Sequence, residues 1–474
     1  MRVLMLSWEY PPRVVGGLAR HVAELSEHLV HHGHEVVVAT AGDGRLPRDE
    51  MINGVRVLRT GAENPNPPDF LSSILQLNLG LVEEVLKAGI MPGIEIIHAH
   101  DWLAAYAAKL LKHGLGRPLV ATIHATEHGR NRGLHNDLQR YISNVEWWLT
   151  YEAWQVICCS QYMKSELRGI FQLPADKVNV IPNGVVPDRC RDRLPDDLVG
   201  FRNRHAAPDE NIVFFMGRLV PEKGVWVLLD AIPRILAYFP KTKFVISGSG
   251  PQEAELKARA RDLGVFDRIF FTGFIDDHTR NGLLAVADVA VFPSTYEPFG
   301  IVALEAMAAG VPVVVSDTGG LGEIIEHGRN GLKAYPGNSQ AVAHQIMALL
   351  GSPELRERLR LAARQDVETI YSWNCISEAV AGLYQRVWQE YLRSDWGRAG
   401  VAALSRPGNA TDGAALRGWV DSQGNGVDWF EVVREQTKAD GQQVVPAQVA
   451  QVVPSRTVPA RYASTGGGRA DGAK

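Results

Sequence analysis

Two acidic residues eight positions apart, Glu297 and Glu305, bracket the segment Glu297-Pro298-Phe299-Gly300-Ile301-Val302-Ala303-Leu304-Glu305. The apolar pattern predicts a strand over Val289–Phe292 before them and a helix over Ile301–Ala309, ended by Gly310 ahead of Pro312. Eight residues at about 1.5 Å each place the carboxylates on the order of 12 Å apart if the stretch is mostly helical. A glycosidase acid/base pair sits about 5–9.5 Å apart, so these two suit opposite ends of one elongated ligand instead. The helix N-terminus at Gly300 and Ile301 offers N–H groups to a phosphate. Glu305 is flanked by Ala303, Leu304, Ala306, Met307, Ala308 and Ala309, a largely buried setting in which an unpaired charge is costly.

Gly217-Arg218-Leu219-Val220-Pro221-Glu222-Lys223-Gly224 lies directly between a predicted strand and a helix. The Arg218 fork and the Lys223 point charge together suit a diphosphate; surface pairing with Glu222 is the plainer alternative. Gly16-Gly17-Leu18 also follows a strand and opens a helix, where free N–H groups can hold an oxyanion. It is not the Gly-x-Gly-x-x-Gly of a nicotinamide dehydrogenase. Two polar clusters, His98-Ala99-His100-Asp101-Trp102 and His124-Ala125-Thr126-Glu127, fall at further strand ends and are expected to face the same cleft from the other side. No Asp-x-Asp occurs, so a sugar-nucleotide enzyme built this way would neutralise the diphosphate with protein cations, without metal or cofactor. His31, His32 and His34 read as a solvated turn, Cys158 and Cys159 as core thiols on opposite faces of a strand, and Trp147, Trp148 and Trp154 as packing residues.

The positioning elements alternate. Strands at Val3–Leu6, Glu35–Thr40, Ile94–His98, Leu119–His124 and Gln155–Cys159 are interleaved with helices around Val22–Leu29, Ala104–Leu111, Leu138–Tyr151 and Met163–Ile170. Asn53-Gly54 marks a tight hairpin. The pattern pauses around Ile181-Pro182-Asn183-Gly184 and a charged, proline-dotted linker, Pro187–Pro208, follows. Alternation then restarts with Ile212–Met216, Val225–Ala237, Lys243–Ser247, Glu253–Leu263, Arg268–Thr272, Val289–Phe292, Ile301–Ala309 and Pro312–Ser316. Helices follow at Gln340–Leu350, Pro353–Ala363 and Ile376–Leu392. The fold class is α/β, two doubly wound parallel-sheet domains whose strand carboxyl ends face a central cleft. Beyond Trp396 the composition turns to Gly, Ala, Val, Gln and Pro, a tail expected to be mobile, with a hairpin at Leu416–Val433.

Composition narrows the class. The chain has 474 residues, 46% hydrophobic and 22% charged, as expected of a globular protein. Forty-nine Lys+Arg against 53 Asp+Glu argue against bulk binding to nucleic acid or anionic membrane. Four cysteines are too few for a disulfide scaffold, and no apolar run reaches the roughly 18 residues of a membrane span. The expectation is a cytoplasmic enzyme, with any membrane contact peripheral.

Taken as a set, Gly16-Gly17-Leu18, HAHDW at 98–102, Asn183-Gly184-Val185, GRLVPEKG at 217–224, SGSGP at 247–251 and the paired Glu297 and Glu305 resemble a retaining glycosyltransferase of family 4 with the GT-B fold. SWEYPP, GGLARHV, HAHDW and TIHATEHGR are most similar to glycogen-synthase-like members that extend α-1,4-glucans. Family 5 synthases carry Lys before Thr-Gly-Gly-Leu, whereas this chain has Val14-Val15 before Gly16-Gly17. The resemblance implies an acceptor-side domain over 1–188, a donor domain over 189–370, a helix at 371–395 returning to the first domain, and a tail at 396–474. It implies that Arg218 and Lys223 bind the leaving diphosphate, Glu305 grips ribose hydroxyls, and Glu297 contacts the transferred sugar. Gly16 and Gly17, with Gly300 and Ile301, would hold phosphate. Asp101 and His124 would orient the hexose, His124 near the anomeric centre. The implied reaction moves glucose from ADP- or UDP-glucose to the non-reducing end of an α-glucan. Alternatives are transfer to a lipid or small-molecule acceptor, a sugar-nucleotide epimerase, or a non-catalytic sugar-nucleotide-binding protein.

Overall fold

The computed structural model describes residues 1–61, 67–190 and 194–398, so the hairpin expected at Leu416–Val433 and most of the tail lie outside the described residues. Strands β1 (Arg2–Ser7), β2 (Glu35–Thr40), β3 (Asp49–Ile52), β4 (Val55–Arg59), β5 (Ile96–His100), β6 (Leu119–Ile123), β7 (Gln155–Cys158) and β8 (Val178–Val180) form one sheet in the order β3-β4-β2-β1-β5-β6-β7-β8. All its pairings are parallel except β3 with β4, which turn back through Asn53-Gly54 with both residues at positive φ, as a tight hairpin requires. A second, all-parallel sheet contains β9 (Asn211–Met216), β10 (Thr242–Ser247), β11 (Ile269–Gly273), β12 (Val289–Phe292), β13 (Val313–Ser316) and β14 (Leu332–Ala334), in the order β11-β10-β9-β12-β13-β14. That is the doubly wound order, and it gives two Rossmann-like domains.

The inner strands are buried nearly from end to end because helices cover both sheet faces: every residue of β12 and β13, and all but the first of β9, is buried. The order reverses between β1 and β5 in the first sheet and between β9 and β12 in the second. At such points successive helices go to opposite faces and leave a crevice at the strand carboxyl ends. The glycine pair and HAHDW lie at the first crevice; GRLVPEKG and the Glu297 loop lie at the second.

The structure departs from the sequence reading in several elements, among them short strands Val178–Val180 and Leu332–Ala334 and short helices Glu127–Asn131 and Gly319–Ile324, which were not expected. Helix Phe70–Lys87 was not expected: Asn78 and Gly80 interrupt its apolar face. Both are accommodated locally, Asn78 by bonds to the carbonyls of Ile74 and Leu103 and Gly80 by close approach to Thr60. Helix Asp277–Val286, also unforeseen, follows an Asp276 cap. The segment 187–208 is no open linker, since it contains helix Leu198–Asn203, and Phe201 is buried against Gly282.

The closing helix, Trp373–Arg393, crosses back to the first sheet. Its fully buried Tyr384 shares an apolar cluster with Val3, Met5, Val22 and Ile96. The Tyr384 hydroxyl lies 2.6 Å from Nδ1 of His98, and Arg117 donates to the Tyr391 hydroxyl at 3.2 Å. The two chain crossings run side by side: Val185 N–H donates to the Tyr371 carbonyl at 2.8 Å, and Val185 bridges Ser372. Tyr384→Phe should therefore lower the thermal midpoint by stranding a buried imidazole nitrogen, a cost of about 1–3 kcal/mol. Tyr384→Ala, which adds a cavity, should cost about 3–5 kcal/mol. Calorimetry showing no loss in either variant would detach the closing helix from the first domain's stability.

Candidate active site

In the second crevice the loop after β9 folds back on the loop after β12. The carbonyl of Glu222 accepts from Thr295 N–H at 2.8 Å. Gly224, at φ +63°, passes so close that a Cβ would sit 2.1 Å from the Pro293 carbonyl oxygen, so only glycine fits. This brings Lys223 Nζ to 2.5 Å from Glu297 Oε2, to which Ser294 also donates at 3.1 Å. Glu297 is buried and its charge is balanced there by Lys223. Arg218 reaches Glu222 at 3.6 Å and is half exposed at the cleft mouth. Of the two cations, only Arg218 therefore takes the plain surface pairing with Glu222.

Opposite stands the first crevice. Helix Gly17–His31 starts at the glycine pair, and Glu9 fixes the loop before it by accepting from Val15 N–H at 2.5 Å and Gly16 N–H at 3.1 Å. The Gly16 N–H is thus spent on Glu9. Burial raises the Glu9 pKa above its ordinary value. A Cβ on Gly17 would lie 3.1 Å from Cδ1 of Ile301, so the N-termini of this helix and of helix Ile301–Ala309 abut across the cleft. One turn along each, Arg20 Nη1 meets Glu305 Oε1 at 2.5 Å. Arg280 reaches the same oxygen at 3.4 Å, and Asp277 pairs with Arg20 at 2.7 Å and with Arg280 at 2.9 Å. Glu305, buried as its apolar neighbours require, is held by two arginines.

Asp101 follows β5 with φ +58° and ψ 172°, a conformation strained for a residue with a side chain. Its Oδ1 accepts from His124 N–H at 2.7 Å and so locks the loop after β6. Burial pushes the Asp101 carboxyl up to about 6, against the opposing pull of Arg130. His124 is driven down to about 3 by burial and then by Arg130, so its ring is neutral at pH 7 and acts through hydrogen bonds. Its Nε2 lies 3.3 Å from His100 Nδ1, and its ring stands edge-on to His21 at 4.6 Å. One ring nitrogen from each of His21, His100 and His124 falls within 4.8 Å of the others, a set that could hold a metal ion. Sequence spacing could not assemble it, because three separate elements supply the rings. His31, His32 and His34 take no part; His32 bonds Ser377 at 2.9 Å. His98 needs correcting: β5 begins at Ile96, not Ile94, so His98 sits mid-strand, fully buried against Tyr384 and Thr122 and not on the cleft.

Other cross-cleft contacts escaped the sequence reading. Glu323 caps helix Gln161–Phe171 from the opposite domain, accepting from Gln161 and Tyr162 N–H at 2.8 and 2.7 Å. Ser160 donates to the Pro298 carbonyl at 2.7 Å, and the Tyr296 hydroxyl donates to Glu166 at 3.0 Å. Trp148 and Trp154 pack as expected, but Trp147 is half exposed, stacked on Tyr151.

Comparison with known proteins agrees with this geometry. The family model for glycosyltransferase family 4 matches residues 15–189, and that for glycosyl transferases group 1 matches residues 201–366. The uncharacterized glycosyltransferase MJ1607 of Methanocaldococcus jannaschii is 42% identical over 390 residues, covering 81% of this chain and 98% of the relative. A glycogen synthase of Mycobacterium tuberculosis is 37% identical over 402 residues, covering 81% and 94%. Sucrose-phosphate synthase from Thermosynechococcus elongatus superimposes with a TM-score of 0.71 at 26% identity, over 82% of this chain and 99% of that structure. The two facing Rossmann-like domains define a GT-B glycosyltransferase. The chain belongs to the glycosyltransferase family, its first half of the family 4 type and its second of the group 1 type. Among the described residues no helix is long and apolar enough to cross a membrane.

Two outcomes are expected. Lys223→Ala and Arg218→Ala should each lower kcat/KM at least about tenfold, as loss of a transition-state contact of roughly 1.4 kcal/mol would; near-normal turnover in either folded variant would contradict the placement. Asp101, with its pKa raised by folding, contributes stability that is complete below about pH 3.8 and lost as pH rises through about 6. That loss is on the order of 3 kcal/mol, which the neutral isostere escapes. Asp101→Asn should therefore gain thermal stability over the native protein as pH rises from 4 to 7, while losing activity. A gap that narrows with pH would overturn this assignment.

Proposed function

We propose that the protein transfers glucose from a nucleotide-diphosphate glucose, ADP- or UDP-linked, to the non-reducing end of an α-1,4-glucan with retention of configuration. The observation that carries the glucan reading is likeness to a glycogen synthase along 94% of that relative's length. Carboxylates, cations and a neutral imidazole set on facing strand ends support transfer over mere binding.

In this reading the diphosphate lies at the abutting helix N-termini, taken by Gly17, Gly300 and Ile301 N–H groups and by Arg218 and Lys223. As the glycosidic bond lengthens, negative charge grows on the diphosphate, and fixed cations stabilise it with no reorganisation at the moment of reaction. Lys223 is pre-aimed by Glu297, which stands on the reactive side of the sugar. Neutral His124, its backbone pinned by Asp101, faces the anomeric centre from the acceptor side. Glu305 holds the ribose. No metal is needed for these roles, and the four cysteines, none of them in a disulfide, fit a cytoplasmic setting.

The test is a panel of nucleotide sugars with maltooligosaccharides, free glucose and glucose 1-phosphate as acceptors, read by nucleotide release. ADP- or UDP-glucose should be consumed only with a maltooligosaccharide, and excess EDTA should leave the rate unchanged. Turnover confined to the monosaccharide or its phosphate would overturn the glucan reading, and an absolute divalent-ion requirement would overturn the metal-free site.

A further inference from the structure

Arg20 stands apart from the residues given roles above. It belongs to the first domain, yet both of its terminal nitrogens are committed to the second, Nη1 to Glu305 at 2.5 Å and Nη2 to Asp277 at 2.7 Å. Glu305 is 7% exposed, and its own domain supplies it with Arg280 at a longer 3.4 Å. The short contact that fixes Oε1 therefore comes from across the cleft. It forms only where the two helix N-termini abut, Gly17 against Ile301.

We propose that Arg20 is a positioning residue that makes ribose recognition conditional on domain closure. The inference rests on the reading that Glu305 takes the ribose hydroxyls. A carboxylate discriminates a diol when its orientation is fixed before the ligand arrives; a loosely held one adapts and discriminates poorly. With Oε1 anchored by Arg20, Oε2 is presented to the ribose at a set angle. When the domains part, Arg20 leaves with the first helix and Glu305 keeps the weaker Arg280 contact, so the open cleft admits nucleotides less selectively than the closed one holds them. Asp277, exposed and bonded to the second arm of Arg20, steadies the guanidinium without touching Glu305's ligand side.

Calorimetric binding of ADP and UDP, each compared with its 2′,3′-dideoxy form and with no acceptor present, separates this role from a structural one. The native protein should prefer the ribose forms by about tenfold or more, the equivalent of one or two hydrogen bonds to a charged group. Arg20→Ala should bring that ratio close to one. Arg20→Lys, which supplies charge but one arm instead of a fork, should keep part of it. Asp277→Asn should move it less than Arg20→Ala does. A ratio unchanged in folded Arg20→Ala would overturn the proposal while leaving Glu305 on the ribose. A native protein that does not distinguish ribose from dideoxyribose would overturn both together. Neither result bears on which acceptor is used.

Discussion

Two helix N-termini, at Gly17 and at Ile301, are brought against each other across the cleft, and the site is organised around that contact. Each end carries roughly half a positive charge and unsatisfied N–H groups, so their approach is electrostatically unfavourable without an anion. The surroundings compensate with acidic groups placed at the same level: Glu9 accepts from Val15 and Gly16, Glu305 lies one turn inside, and Glu297 stands beside Lys223. A diphosphate is the ligand that such a junction suits, because it answers both helix ends and the two cations Arg218 and Lys223 at once. The order of strands in each sheet is what makes the junction possible, since a crevice opens only where that order reverses.

The remaining contacts between the domains follow from this need to bring two half-sites together. Ser160 on the Pro298 carbonyl and Tyr296 on Glu166 join the loop that carries Glu297 to the first domain, and Glu323, from helix Gly319–Ile324, caps helix Gln161–Phe171. These three contacts are polar and directional, and they sit beside a buried apolar cluster that includes residues of both domains, among them Cys159, Met163, Phe299 and Leu304; the closing helix is held to the first sheet by an apolar cluster of its own. The two chain crossings run side by side, joined by the Val185 N–H to Tyr371 carbonyl bond.

Much of this was legible in the residues. Alternating apolar runs revealed both sheets, and β2, β12 and helix Ile301–Ala309 begin and end where the pattern placed them. Glycine-punctuated loops after strands pointed to the cleft, and the apolar flanks of Glu305 announced a buried, paired charge. What pairs with it was not legible, because Arg20 is 285 positions away, and its place in GGLARHV, three residues after Gly17, says nothing of a partner in the other domain. His98 was misplaced by a two-residue error at the start of β5, enough to move a ring from the cleft to the core. Asp101 was assigned to the sugar; its observed carboxylate bond is to the His124 backbone, a role that only a positive φ and a loop 23 residues onward reveal. Long-range pairing of this kind is a property of topology, and local patterning carries little of it.

The central claim is that the diphosphate of a nucleotide sugar is held where the two helix ends meet. A crystal structure of the protein with a nucleoside diphosphate bound tests it most directly. The expected result is phosphate density between the Gly17 end of the first helix and the Ile301 end of its partner, within hydrogen-bonding reach of Arg218 and Lys223. Phosphates bound away from both helix ends, with Lys223 still paired only to Glu297, would contradict it.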